Sequence, residues 1–253
     1  MSYALLIDIS QCVGCGECRT ACQKAHGFPE IEARNLNDKN FTCLDQHGDT
    51  FVRRMCRHCM KPACASVCPV GALEKTEAGP VNYQADKCLG CRYCMLACPF
   101  EIPKYEWASN NPRVRKCTMC YDERTSKGLP TACTEACPTG ATLFGTRDEL
   151  LTEAHRRIKE SPDNYVNTVF GETELGGMSV LFLSNIPFEK LGFKTKLGSE
   201  PLPEKTWQVL SKIPDVVVTA GAVFSAIYWI SHRKDEVQRF EEARRSNNHQ
   251  SME

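Results

Sequence analysis

Several things are missing from this 253-residue chain, and each absence removes a class of function. It has no net charge, 31 basic residues standing against 31 acidic ones, so no broad affinity for nucleic acid is expected. It has no Ser-His-Asp set, no phosphate-binding glycine loop and no dinucleotide fingerprint, so no catalytic site is expected within it. The opening MSYALLIDIS has no basic stretch leading into an apolar one, and no twin arginine. It therefore reads as a first strand over residues 5–9 rather than a signal peptide. Apolar content of 42% is enough for a real core in one large domain or two smaller ones.

Cysteine is abundant instead: 17 residues, an odd number and closely clustered. A disulfide framework belongs to short secreted chains with an even count, so these cysteines point to metal. Sixteen of them fall into four copies of one device. The first copy is Cys12, Cys15, Cys18 and Cys22, with Gly14 and Gly16 freeing the loop to wrap a cluster. The second is Cys56, Cys59, Cys64 and Cys68, followed by Pro69. The third, DKCLGCRYCMLACPF, holds Cys88, Cys91, Cys94 and Cys98, followed by Pro99. The fourth is Cys117, Cys120, Cys133 and Cys137, followed by Pro138, with a long insertion in its middle. The first and third copies have the C-x2-C-x2-C-x3-C spacing of the bacterial ferredoxin run. There, three thiolates on one loop hold a [4Fe–4S] cluster and the fourth reaches a different one. Such a fourth residue needs another copy elsewhere in the chain, and the repeat supplies it.

Zinc is the competing reading, since it also takes four thiolates, and the fourth motif alone would pass for a zinc site. The first and third would not, because zinc ribbons separate their C-x2-C pairs. Cys43 has no partner at ligand spacing and reads as a buried thiol. His58, inside CRHC, is a candidate donor to a cluster sulfur, against a packing role. Lys87 and Lys116 each precede a ligand cysteine, where a charge would raise a potential unless the lysine is simply solvated.

The expected fold class is α+β: tandem ferredoxin-like units, too small to fold by apolar burial alone and held by metal–thiolate bonds. Residues 72–75 and 81–84 flank Gly79-Pro80 as a hairpin, and 141–144 mirrors 72–75 after a second Cys-Pro-x-Gly. Thr146 and Glu149 form a capping box for a helix over 147–160, which ends before Pro162. Residues 171–203 are rich in Gly and Pro around one strand-like run, 180–183, and suit an arm lying on a partner. The run VVVTAGAVFSAIYWI, from Val216 to Ile230, carries no charge and ends on Tyr228 and Trp229, with His232, Arg233 and Lys234 just beyond. It reads as a membrane span on the short side. Arg239, Arg244 and Arg245 continue the basic tail, so the positive-inside rule puts the C-terminus in the cytoplasm. The expected domains are 1–145 for the clusters (an inner unit of about 51–100 within an outer one), 146–213 as a helix and partner-binding extension, 214–231 as the span and 232–253 as the tail.

Four stretches together resemble a known family. They are VRRMCRHCMKPACASVCPVGAL, DKCLGCRYCMLACPFEIPKYEW, VRKCTMCYDERTSKGLPTACTEACPTGA and GETELGGMSVLFLSNIPFEKLGF, followed by the single apolar helix. The family is that of the four-cluster iron–sulfur subunits of respiratory oxidoreductases. Members include the beta subunit of membrane-bound formate dehydrogenase and its counterpart in quinone-linked nickel–iron hydrogenase. The resemblance implies cross-paired motifs. One cluster takes Cys12, Cys15, Cys18 and Cys137; a second takes Cys22, Cys117, Cys120 and Cys133. A third takes Cys56, Cys59, Cys64 and Cys98; the fourth takes Cys68, Cys88, Cys91 and Cys94. Some relatives carry an aromatic at the position of Cys91 and a three-iron cluster; the cysteine here implies four cubanes. The implied role is non-catalytic. Electrons would pass from a molybdenum or tungsten formate-dehydrogenase-like subunit, entering near Cys12, to a quinone-reactive or cytochrome b subunit near Cys88. Met1 directly before the first strand favours the formate dehydrogenase branch, whose subunit is exported with its partner and lies on the periplasmic side. The alternatives are the hydrogenase branch, another molybdopterin oxidoreductase, and a soluble cytoplasmic polyferredoxin.

Overall fold

The computed structural model describes residues 2–250. It divides into one compact unit up to Glu204 and a second from Lys205 onward. In chain order the first unit has β1 (Tyr3–Asp8), α1 (Glu17–Ala25), β2 (Thr42–His47), β3 (Thr50–Met55) and α2 (Ala63–Ser66). Then come β4 (Leu73–Lys75), β5 (Val81–Tyr83), α3 (Tyr93–Ala97), β6 (Lys104–Tyr105), β7 (Val114–Arg115) and α4 (Ala132–Glu135). It closes with β8 (Thr142–Thr146), α5 (Arg147–Glu160), β9 (Val180–Leu183) and the start of α6 (Leu202–Leu210), after which α7 (Ile213–Gln250) runs on.

β1 is the middle strand of a three-stranded sheet, antiparallel to β8 and parallel to β9. Its sequence ALLI is apolar at every position because both of its faces are covered. Side chains alternate across a strand, so Leu5, Ile7 and Ile9 enter one core with Val180, Phe182 and Phe170. Ala4 and Leu6 enter another, under Leu150, Ala154 and Ile158 of α5. Those three α5 residues recur at helical spacing, and the helix starts at the expected capping box. Glu149 N–H donates to Thr146 Oγ1 at 3.4 Å and Thr146 N–H to Glu149 Oε2 at 3.1 Å.

The expected hairpin is present as β4–β5, antiparallel, and it anchors a third core around Ala72, Leu73, Val81, Tyr83 and Val114. A second hairpin, β2–β3, has no counterpart in the sequence reading. The stretch read as a partner-binding arm gives its apolar side chains to this chain's own core. Val180, Leu181, Phe182 and Leu183 are fully buried, and Phe188, Leu191 and Phe193 pack with Phe170.

Within the second unit, α7 includes the charge-free run from Val216 to Ile230, whose large apolar side chains are exposed. The stretch Leu202–Arg244 is long and apolar enough to cross a membrane. The side chain of Arg245 and residues 251–253 of the expected tail lie outside the described residues.

Candidate iron–sulfur site

The four cysteine motifs share one local geometry. In each, the residue before the second cysteine has a left-handed backbone: Gly14 (φ 71°), His58 (φ 47°), Gly90 (φ 69°) and Met119 (φ 58°). That turn curls the chain so that successive thiols converge. Glycine adopts it freely, whereas His58 and Met119 adopt it only because complete burial fixes them. Ahead of the first and third motifs a short 3-10 turn delivers the leading cysteine, whose N–H bonds back at 3.2 Å (Cys12 to Ile9 O, Cys88 to Ala85 O). After the second and fourth, Cys-Pro-x-Gly turns close identically: Gly71 and Gly140 each donate to the carbonyl of Cys68 or Cys137 at 3.3 Å.

Motif one's helix α1 packs on motif four's α4, and motif two's α2 packs on motif three's α3. The cysteines gather accordingly. Cys12, Cys15, Cys18 and Cys137 line one cavity, with Ile7, Arg53 and Thr142. Cys22 faces Cys117, Cys120 and Cys133. Cys59 faces Cys56, Cys64 and Cys98. Cys68, Cys88, Cys91 and Cys94 line a second cavity, with Tyr83 and Val114. The sets also follow one another: Cys18 lies near Cys133, Cys117 near Cys56, and Cys64 near Cys94. Of the sixteen cysteines, Cys15 and Cys91 are exposed, one in each terminal set of this row; the rest are half-buried or buried.

The donor chemistry fits iron–sulfur cubes. Backbone N–H groups aim at sulfur from Ala72 to Cys68 (3.2 Å), Met119 to Cys117 (3.3 Å) and Gly90 to Cys88 (3.4 Å). Such bonds stabilise negative charge on thiolate and sulfide. Burial pushes the Cys59 and Cys64 thiols up to about 12 and Cys94 up to about 11, with neighbouring cysteines adding to the rise for all three. Bare thiolates are thus costly in these sets, and bound iron would remove the cost. Cys137 and Cys88 go the other way. Burial would raise them, but backbone N–H groups of Thr142, Thr139 and Ala141 hold Cys137 lower, and the Tyr83 hydroxyl with the N–H of Val114 and Gly90 holds Cys88 lower. Among the described residues, no three His, Cys, Asp or Glu side chains gather tightly enough for a single metal ion.

Cys43 sits buried in β2, opposite Arg54 in the ladder and apart from all four sets. His58 is 1% exposed, and its Nδ1 accepts from Val81 N–H at 2.9 Å. Burial, with Lys116 and Lys75 nearby, holds the ring well below the usual histidine range, so it is neutral with its proton on Nε2. The two flagged lysines part company: Lys87 is exposed, whereas Lys116 is 2% exposed and donates from Nζ to Cys117 O at 2.8 Å and to Val81 O. Two buried arginines beside the cysteines, Arg53 and Arg57, were not singled out from the sequence. The only signal was their position, just before and within motif two.

The chain is similar to known proteins. Residues 49–147 match the 4Fe-4S dicluster domain family. A Nitratidesulfovibrio vulgaris protein is 35% identical over 260 residues, covering 96% of this chain and 70% of its own length. The hydrogenase-2 operon protein HybA of Escherichia coli O157:H7 is 38% identical over 239 residues, 75% of this chain and 72% of its own. The formate dehydrogenase-O iron–sulfur subunit of Escherichia coli K12 is 30% identical over 260 residues, 92% of this chain and 85% of its own. The chain belongs to this family of iron–sulfur subunits. Its cysteines hold 4Fe–4S clusters, and as a member of the family it is an electron-transfer subunit.

Proposed function

We propose that this chain is the wire of a membrane-bound respiratory complex, carrying four [4Fe–4S] clusters between a catalytic subunit and a quinone-reactive one. The ligands are Cys12, Cys15, Cys18 and Cys137; Cys22, Cys117, Cys120 and Cys133; Cys56, Cys59, Cys64 and Cys98; and Cys68, Cys88, Cys91 and Cys94. The observation that carries this reading is the row of four cysteine sets with one exposed thiol at each end. A relay needs an electron entrance and an exit at the surface, with its inner stations shielded. Exposed apolar side chains stand beside both ends, Val13 next to Cys15, and Leu89 and Tyr93 next to Cys91, where partners would exclude water. Residues 1–145 would form the cluster domain and 146–213 an extension. The span at 214–231 would anchor the chain, with the tail at 232–253 in the cytoplasm and the clusters on the periplasmic side.

The catalytic partner is a molybdopterin subunit of formate dehydrogenase type in the first reading. A nickel–iron hydrogenase partner is the second, favoured by the higher identity to HybA, 38% against 30% for formate dehydrogenase-O. The test is to tag the chain, solubilise membranes anaerobically in detergent, and identify what co-purifies by mass spectrometry and metal assay. Molybdenum or tungsten with a large subunit supports the first branch, and nickel the second. A soluble, iron-rich chain alone would refute the membrane role, and a colourless one without iron would refute the clusters.

A further inference from the structure

Three buried cations, Arg53, Arg57 and Lys116, have no carboxylate to pair with among the described residues, and neither has the half-buried Lys75. A buried charge left alone is prohibitively costly, so each must face an anion. Among the described residues the candidates beside them are cysteines, and the cations are shared out unevenly. Arg53 faces Cys133, Cys18 and Cys22, between the first two sets, and donates to Thr42 Oγ1 at 2.9 Å. The other three converge on one set. Arg57 faces Cys56, Cys59 and Cys98; Lys75 faces Cys59 and Cys56; Lys116 faces Cys64. Among the described residues the Cys68, Cys88, Cys91 and Cys94 set has no buried cation, and its cavity is lined by Tyr83 and the exposed Arg92.

Arg57 is held in an unusual place. Its guanidinium lies 4.2 Å from the ring centre of Phe182 and 5.0 Å from that of Phe193, with Phe100 and Phe170 within 5.9 Å. Ring faces favour the cation but accept no strong hydrogen bond, and Nε and Nη1 are buried with no partner. Lys75 is tethered to backbone and hydroxyl oxygens, His58 O at 3.1 Å, Ser179 Oγ at 2.9 Å and Gly79 O, none of them charged. These are positive charges fixed in a low-dielectric interior, with Arg57's donors still open to the sulfurs of an adjacent cluster. Each cluster takes up one electron from dithionite and becomes more negative by one charge, so nearby buried cations favour the reduced state.

We propose that Arg57, Lys75 and Lys116 make the Cys56, Cys59, Cys64 and Cys98 cluster the most easily reduced of the row. It would be an electron store inside the relay rather than at either end. This rests on the four-cluster reading above, and on nothing about the partners' identity. The two can fail separately: a chain without clusters refutes that reading, whereas four clusters of unshifted potential refute only this one.

The experiment is an electron paramagnetic resonance redox titration of the detergent-solubilised full chain and two variants, Arg57→Met and Arg57→Lys, each first checked for its iron content. In the native chain one signal appears first as the potential is lowered. In Arg57→Met that same signal requires a lower potential, its reduced-to-oxidised ratio at fixed potential falling about tenfold, or about 59 mV for one electron. Arg57→Lys, which keeps the charge, leaves that signal close to its native potential. A packing role alone would not separate Met from Lys in this way. The inference is overturned if the first signal moves less than about threefold, if a later signal moves instead, or if all move together. Should Arg57→Met not take up its full iron, Lys116→Met is read in the same titration against the same outcomes.

Discussion

Asp8 ties the end of β1 to the loop that delivers the first cysteine, and replacing it should loosen that loop before any other. The carboxylate is buried; Oδ1 accepts from Ser10 N–H at 3.1 Å, and Oδ2 from Arg157 Nη1 at 2.9 Å and Tyr165 Oη at 2.8 Å. Removing one member of a buried ion pair costs about 3–5 kcal/mol when the other is stranded. Arg157 would not be stranded, because Glu153 Oε1 still accepts from its Nε at 2.7 Å and it lies near the surface. Tyr165 and the Ser10 amide do lose an acceptor, at about 1 kcal/mol each. Asp8→Ala should therefore destabilise the chain by about 2–3 kcal/mol, and Asp8→Asn by about half as much. At 2–4 °C per kcal/mol for a domain of this size, the melting temperature should fall by about 4–12 °C. The assay is an anaerobic melt followed by circular dichroism, with cluster absorbance near 400 nm and signal-resolved paramagnetic resonance read alongside. A loss under about 0.5 kcal/mol would refute the reasoning. So would loss of another cluster before the one at Cys12, because the Asp8–Ser10 contact lies on the approach to that cysteine.

Four shorter expectations go with it. Cys91→Ser should convert or destabilise one cluster and leave the other signals largely intact; loss of all of them would mean that the site is required for folding. Gly90→Ala should cost that same cluster its full occupancy, measured as iron per chain, because an added Cβ would overlap the carbonyl oxygen of Pro112 on a φ of 69°. Thr146→Ala should lower stability by about 1 kcal/mol in denaturant titration, through the lost capping box, without altering any cluster signal. Deleting the chain from Val216 onward should leave the iron content unchanged but abolish flotation with lipid vesicles; continued flotation would remove the anchor.

Much of the fold was legible because its signals are local. Cysteine spacing, the Thr146–Glu149 box and the Gly79-Pro80 turn each act within a few residues, and each produced the expected loop, helix or hairpin. The charge-free run was equally plain. What stayed hidden depends on contacts made far along the chain. The β9 run was visible, but not that it pairs in parallel with β1, because nothing local encodes a partner so remote. Hairpin β2–β3 escaped because TCLDQH and TFVRRM break the apolar–polar alternation: Arg53 points inward to Thr42, and Cys43 is buried beside it in sequence. The left-handed turns at His58 and Met119 carry no glycine to announce them. Residue type left Lys116 open between a potential-raising charge and a solvated lysine, and only packing shows that it is buried.

The same reasoning explains why so little apolar sequence surrounds the clusters. Under the proposed ligand assignment, each motif gives three thiolates to one cluster and a fourth to its neighbour, so every cluster joins two segments far apart in sequence. Each iron–sulfur cube then does the work of a long-range contact, replacing the broad apolar face that units this small cannot build. The elements in and between the motifs are correspondingly short: α2 and α4 are single turns of four residues, and β6 and β7 have two residues each. Elements of that length have almost no stability of their own. The sheet of β8, β1 and β9 under α5 is the exception, with a continuous apolar core, and it meets the clusters through Ile7 in the cavity of Cys12 and Cys137. Under that assignment the inner half, around β4–β5, joins its distant segments through its clusters, whereas the sheet joins β1, β8 and β9 through strand pairing and apolar contact.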